Sequence, residues 1–473
     1  MRKIVSVLLV IFIMFTMTAC GSNEQAGVLP DGDVTGGTAG PDAGSAGDAG
    51  VSGTSDTNTG VLDMGKEDNT RITIALSIPE DRFMEMAVMK FQEANPGIVV
   101  DLKYYTSMGE TMTQQTEDGG TLVVSENTDP GGEKYIKTIN TELMSGAGPD
   151  IIETFYMPVG KFADNGFLCD MDRIIRQDTE FDSSSYYGNI INGMKYKGGL
   201  YTMPVAFTVD LMYAKFILPK EAVSNGLTLE AFFDTAGEVL KAHGAKDSFV
   251  LYQDAEALFR NMLRRYYGEF VKADTRECDF TSGRFVRLIE LIKSAEDRKL
   301  FFNTRKNTNT DTGWENLFFL MEDQNDTNCL RDLKSPGESD NTYTIPSMDG
   351  ESTVYANIFK EYGINNNSKS KGAAWKFIKF LISEEMQTSP ELYFFPVNKD
   401  AMARKIEMEK VDGTNVELTA DDPVFSNISV YDNQNWQITE IIMEETRKYF
   451  DGQRTSEETA RILQGRVDLM VKE

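Results

Sequence analysis

The residue types that most often carry catalysis are scarce here, and their spacing narrows the chemistry further. His243 is the single histidine in 473 residues, which argues against imidazole dyads and His-rich metal sites. It follows Leu240-Lys241-Ala242 and precedes Gly244, the position of a residue closing a helix. The four cysteines form no C-x-x-C pair, so neither a zinc ribbon nor a disulfide-dense scaffold is expected. G-x-S-x-G, H-E-x-x-H and P-loop patterns are absent. Carboxylates are plentiful, with 74 Asp and Glu against 47 Lys and Arg and a formal charge of -27. Glycoside hydrolysis needs two carboxylates at a fixed separation, and with this many acids no spacing argument excludes such a pair. The same excess repels phosphate backbones and speaks against nucleic acid as a partner. Asp31-Gly32-Asp33-Val34-Thr35-Gly36 looks like the start of a calcium loop, but Asp42 stands at position twelve in place of a bidentate Glu.

The remaining reactive signal is at the N-terminus. Arg2 and Lys3 precede an almost wholly apolar run from Ile4 to Met17. That run is shorter than the roughly twenty residues a membrane-spanning helix needs, and it fits the apolar stretch of a secretory signal. It ends in Met17-Thr18-Ala19-Cys20-Gly21, small residues before a cysteine. This resembles the bacterial lipobox, although Met17 stands where Leu is usual. The resemblance implies that residues 1–19 are removed and that Cys20 is diacylated, two chains being enough for stable anchoring. An ordinary cleaved signal ending near a cysteine is the competing reading. Cys169, Cys278 and Cys329 would then remain, allowing at most one disulfide and leaving at least one free thiol. Gly21 to Gly65 contains no aromatic residue and no Arg or Lys. Such a segment buries too little apolar surface to offset its ordering entropy. Residues 20–70 are therefore expected to be an anchored tether, with a reach of about 35–40 Å.

From Arg71 onward the pattern changes to alternating strand and helix. Ile72 to Leu76 is β-rich, and Ser77-Ile78-Pro79-Glu80 has capping-box spacing. Phe83, Met86, Ala87 and Phe91 recur at helical spacing until Asn95-Pro96-Gly97, and Ile98 to Tyr105 reads as a second strand. Thr106 to Gly132 is polar and Gly-rich, a predicted insertion loop. Tyr135, Ile136, Ile139 and Leu143 mark another helix, and Asp150-Ile151-Ile152 opens a third strand. This order predicts an α/β fold with a parallel sheet. Ligands bind beyond the carboxyl ends of such strands, which directs attention to Glu153, Thr154, Phe155 and Tyr156.

Four ordered segments resemble family 1 extracellular solute-binding proteins, the carbohydrate-type receptors of ATP-binding cassette importers. They are Phe91 to Gly97 with the Val-rich strand after it, Leu143 to Ile152, Gly198 to Pro204 with Leu211-Met212-Tyr213, and Tyr362 to Lys369 with Ala373 to Leu381. Thr455-Ser456-Glu457-Glu458-Thr459 before a last helix is also similar. The resemblance covers Arg71 to Glu473. It departs from the family in the long segment from Thr106 to Gly132, in Ala214-Lys215 where Asn-Lys is frequent, and in Glu315 to Cys329, which has no clear Gly-rich strand.

The resemblance implies a two-lobed, type II periplasmic-binding-protein-like fold. Lobe one would take residues 71–203 and 341–383, and lobe two 204–340 and 384–473. It further implies capture of a sugar between the lobes without covalent chemistry, with no cofactor and no metal. The protein would be a monomeric lipoprotein on the extracytoplasmic face of the membrane, serving ABC permease subunits. Flat rings suit the C–H faces of a sugar, and carboxylates, amides and amines suit its hydroxyls. Phe155 and Tyr156 match the ligand loop, with core packing of one of them as the alternative. Phe207 and Asp210 follow Pro204 in the crossing segment, and Asp210 suits either a hydroxyl acceptor or a solvent-exposed hinge acid. Trp436, in Asn433-Gln434-Asn435-Trp436-Gln437, matches a late aromatic of the second lobe, and Trp314 is a further candidate. Trp375, among Phe377, Ile378 and Leu381, reads as core. A membrane-tethered carbohydrate-active enzyme and a peptide-binding or adhesive lipoprotein remain as alternatives.

Overall fold

The computed structural model describes residues 70–77, 81–105, 111–115, 121–125, 132–215, 218, 226–243, 249–251, 254–301, 316–334, 341–410 and 416–472. The signal segment, Cys20, the tether and Trp314 lie outside them. Among the described residues no helix is long and apolar enough to cross a membrane.

The chain opens with β1 (Thr70–Leu76). Helix α1 (Arg82–Ala94) follows, burying Phe83, Met84, Ala87 and Phe91 as one stripe. Its cap differs from the expected Ser77-Glu80 box. Asp81 accepts from the Met84 N–H at 3.2 Å, while both Ser77 donors are taken by Glu153. β2 (Ile98–Tyr104) pairs in parallel with β1, placing Ile74 opposite Leu102. The segment predicted as a loop carries an antiparallel hairpin, β3 (Thr111–Gln115) and β4 (Thr121–Ser125). Helix α2 (Glu133–Met144) buries Tyr135, Ile139 and Leu143, and β5 (Ile151–Glu153) returns parallel to β1.

β6 (Met203–Ala214) is the longest strand. After it come α3 (Leu229–His243), β7 (Phe249–Leu251), α4 (Ala255–Phe270), a short hairpin of β8 (Val271–Lys272) and β9 (Glu277–Cys278), and α5 (Arg284–Asp297). β10 (Asn316–Gln324), α6 (Thr327–Lys334), β11 (Thr342–Tyr343) and β12 (Val354–Ile364) lead to α7 (Lys371–Leu381). The chain ends with β13 (Phe395–Pro396), α8 (Lys399–Met408), β14 (Ile428–Val430), α9 (Trp436–Phe450) and α10 (Ser456–Lys472). The main sheet runs β2-β1-β5-β12-β6-β10-β7. β12 is antiparallel to both β5 and β6, and β10 is antiparallel to β6.

Two large apolar cores flank this sheet. The first gathers β1, α1, α7 and the upstream part of β6 as far as Leu211, and the second begins with Met212 and is built on α3, α4, α5, α9 and α10. A smaller cluster of Tyr135, Ile139, Ile152, Phe162 and Leu168 lies under α2. Trp375 is fully buried in the first core, and its indole N–H donates to Asp178 at 2.7 Å. The two cores divide the chain at places other than residues 203, 340 and 383. Residues Met386 to Ile428 belong to the first core, as does Leu330, whereas Tyr343 to Met348 belong to the second. Strand pairing is the reason: β14 joins β12 with Val354 opposite Ile428, and β13 joins β6 with Phe395 opposite Phe207.

Candidate ligand-binding cleft

The carboxyl ends of the parallel strands supply the polar part of the site. Ser77 at the end of β1 donates its N–H and hydroxyl to Glu153 at the end of β5, both at 2.6 Å. Lys360 on β12 pairs with Asp81, the cap of α1, and its ammonium lies 5.7 Å from the centre of the Phe83 ring. Burial raises the Glu153 carboxyl above its ordinary range, against the pull of the Ser77 donors and Lys360. Behind it, burial pushes Glu361 up to about 7. Glu361 accepts from the Thr202 hydroxyl at 3.1 Å. Its backbone carbonyl accepts the Thr154 N–H at 3.0 Å, which fixes the chain just ahead of Phe155.

Next to these groups runs a row of rings. Phe155 meets Tyr156 edge-on at 4.8 Å and stacks on Phe359 at 5.7 Å. Phe359 stacks on Phe394 at 4.8 Å, and Phe394 meets Tyr393 edge-on at 6.0 Å. Phe155 is 37% exposed and Tyr393 68%, so the row reaches solvent on both sides of its central rings. Tyr156 is set from behind by Gly132, which has φ +66°; a Cβ there would fall 2.6 Å from the Tyr156 Cβ and Cγ. Phe394 packs against the first core, and two amides tie neighbouring segments to the row. Asn433, between β14 and α9, donates to the Met157 carbonyl at 3.3 Å. Asn325, just past β10, donates to the Tyr393 carbonyl at 3.1 Å. Exposed rings beside a carboxylate and an ion-paired amine present both kinds of surface a polyhydroxylated guest requires.

The candidates from sequence separate on inspection. Phe155 and Tyr156 fall in the row. Trp436 is 46% exposed at the first position of α9, after the cap Asn435, and contacts no ring of the row among the described residues. Phe207 is corrected. It is fully buried between Tyr187 and Phe395, because β6 is covered on both faces, and it has no surface left for a guest. Asp210 is corrected as well. It is 2% exposed, and one oxygen accepts from the Asp323 N–H and the Asn357 amide, both at 2.9 Å. The other oxygen accepts from the Tyr431 hydroxyl at 2.9 Å and faces Arg264 at 3.5 Å. Protein donors hold both its oxygens, so it is neither a hydroxyl acceptor for a guest nor a solvent-exposed acid. Phe359, Phe394, Tyr393, Ser77, Asp81 and Lys360 were not identified from sequence. The alternation along Tyr355, Asn357, Phe359 and Glu361 was the available signal for the first of them.

The three thiols are free, and burial raises the pKa of each, that of Cys278 to about 11. Thiolate chemistry is therefore disfavoured.

A large mixed sheet packed with helices around two cores is the architecture of the two-lobed type II periplasmic binding proteins. The chain belongs to the bacterial extracellular solute-binding proteins, whose family model matches residues 108–410. Among solved structures, the sugar-binding protein MalE from Xanthomonas citri aligns with a TM-score of 0.59 at 15% identity, covering 85% of this chain and 98% of that one. The ABC substrate-binding protein from Listeria monocytogenes in complex with cycloalternan aligns at 0.55 and 16%, covering 86% and 100%. A family 1 extracellular solute-binding protein from Alicyclobacillus acidocaldarius aligns at 0.57 and 14%, covering 86% and 100%. No curated protein matches the chain in sequence. At these identities the structural likenesses establish the fold.

Proposed function

We propose that this protein captures a sugar or oligosaccharide between its lobes, without altering it, and delivers it to an ABC permease. The observation that carries this reading is the row Tyr156, Phe155, Phe359, Phe394 and Tyr393 beside Glu153, Asp81 and Lys360. Phe155, Tyr156 and Trp436 are the ring contacts, and hinge closure between the cores completes the site. A MalE protein and a cycloalternan complex among the structural neighbours support a sugar as the guest. The lipobox-like Cys20 supports a diacyl anchor on the extracytoplasmic face, with the segment to residue 70 as tether and the folded part monomeric.

A thermal-shift screen of mono- and oligosaccharides tests the reading. A true ligand at a hundred times its dissociation constant stabilises the fold by about 2.7 kcal/mol. Stabilisation by peptides and not by any sugar would overturn it in favour of a peptide receptor. Release of shorter sugars from the ligand during incubation would overturn it in favour of an enzyme. The anchor has its own test: Cys20→Ala moves the protein from the membrane fraction to the medium.

A further inference from the structure

We propose that Asp210 is a positioning residue for ligand capture: its carboxylate gathers the segments that connect the two cores and sets the angle between them. The effect on affinity rests on the proposed binding function; the effect on the angle does not.

The described chain passes from core to core at Leu211/Met212, at Leu320/Met321, between Leu333 and Tyr343, between Met348 and Val354, and between Val430 and Ile438. Asp210 sits at the first of these. The groups donating to it come from the second (the Asp323 N–H), from just beyond the fourth (Asn357), and from the fifth (Tyr431). One carboxylate thus touches four of the connections. The surrounding groups extend the tie. Asp323 accepts from Asn357 at 2.7 Å and from the Thr208 hydroxyl at 3.1 Å. It holds φ at +55°, an uncommon conformation for a residue with a side chain, where β10 breaks register with β6. Arg264 lies over the Tyr431 ring at 4.5 Å, Tyr431 stacks on Tyr355 at 4.8 Å, and Arg265 lies over Tyr355 at 4.8 Å. Arg265 donates to the carbonyl of Ile345, ahead of the fourth connection, and to that of Glu351 within it, at 3.2 Å each.

A change in the angle between the cores must rotate these connections against one another. A carboxylate bonded to three segments beyond its own resists that rotation. Asn in its place would turn one acceptor oxygen into a donor facing donors and loosen the tie. Burial raises the Asp210 carboxyl to about 6, opposed by Arg264 and the Asp323 N–H. The charged and titratable groups around it are Arg264 and Arg265 from α4, Asp323 from β10, Tyr355 from β12, and Tyr431 after β14, with Asp432 and Glu351 beyond them.

Hydrogen exchange of the ligand-free full chain tests this without any ligand. In Asp210→Asn, peptides spanning 208–214, 320–325, 352–358 and 430–436 should gain exchange together relative to the wild type, while α1, α5 and α7 stay protected. Tyr431→Phe, which removes one donor and keeps the ring stack, should move partway. Once a ligand is known, Asp210→Asn should change the affinity for every ligand by one common factor, roughly fivefold or more, the low end of conformational coupling. Variants that melt cooperatively yet keep the wild-type exchange profile would overturn the proposal. So would an affinity loss confined to particular sugars, which would make Asp210 a ligand contact. If Asp210→Asn does not fold, Tyr431→Phe decides alone. A screen that finds no sugar ligand would sink the proposed function and leave the exchange result standing.

Discussion

Two regions of the molecule are built on opposite principles. In the ring row, Phe155 and Tyr393 keep part of their surface exposed. Around Asp210, every oxygen is met by a protein donor and the surrounding rings are capped by guanidinium groups. In the proposed reading, the exposed rings of the first arrangement are the surface on which a guest lies. The second makes its interactions within the protein, so its energy goes into holding segments in register. Two acidic or aromatic side chains a few residues apart in sequence can thus have unrelated purposes, and the count of unsatisfied surface separates them.

The largest expected effect is at the saturated region. Asp210→Ala leaves the Asn357 amide, the Tyr431 hydroxyl, the Asp323 N–H and Arg264 without their acceptor in a buried site. Stability should fall by about 3–5 kcal/mol, as when one partner of a buried polar pair is removed. Urea unfolding followed by circular dichroism measures it, and a loss below about 1 kcal/mol, the value of a solvated pair, would mean that water replaces the carboxylate there. In the ring row the same kind of truncation should act on binding. Phe359→Ala removes the central ring and should weaken sugar binding by about 1–3 kcal/mol, with Phe155→Ala similar. Trp436→Ala is expected in the same range, and an unchanged affinity in a folded variant would remove Trp436 from the site. Titration calorimetry on each variant gives the comparison directly.

How much of this was legible in the sequence follows from the range of the interactions. β1, α1, β2, α2 and β5 are local patterns, and the rule that ligands meet parallel strands at their carboxyl ends directed attention to the segment that holds Phe155 and Tyr156, the two members of the ring row singled out from sequence. Phe359, Phe394 and Tyr393 depend on β12 and β13 reaching the same sheet, and Tyr393-Phe394-Phe395 reads locally as core. β6 is buried on both faces, so alternation could not tell that Phe207 packs inward or that Asp210 would be saturated. Core membership was illegible because the chain returns to the first core repeatedly, and membership is fixed by long-range pairs such as Val354 with Ile428. The family resemblance lay in short segments near Pro96, Pro149 and Pro204, where turn chemistry constrains residue type.

A pH experiment sharpens the contrast further, because buried carboxyls without full compensation reveal themselves by titration. Glu361 is raised to about 7 by burial, from a model-peptide value near 4.3. A carboxyl whose folded pKa lies above its unfolded value binds more protons folded than unfolded between the two. Its contribution to stability is therefore present at low pH and declines as pH rises from about 4.3 to about 7. The slope from one such group cannot exceed about 1.36 kcal/mol per pH unit. Glu361→Gln should flatten thermal stability over this window relative to the wild type, and parallel curves for the two proteins would show that Glu361 titrates elsewhere.

The smallest effect is expected at the exposed contact between the β8–β9 hairpin and the segment around Asp164. Arg276, in the turn of the β8–β9 hairpin, lies 3.5 Å from Asp164, which also takes Lys197 at 2.7 Å. Tyr196 donates to the Ala273 carbonyl at 3.4 Å and to Asp164 at 3.1 Å. Lys197 and Tyr196 hold Asp164 below the ordinary carboxylate range, so the acid stays ionised with or without Arg276. The Arg276 side chain is more than half exposed, and water and salt screen the pair. Arg276→Ala should therefore cost no more than about 1 kcal/mol in stability, less at high salt. If it changed ligand affinity more than Phe359→Ala does, closure would be governed by this outer contact, and the contrast between ring row and Asp210 cluster would no longer describe how the protein holds its guest.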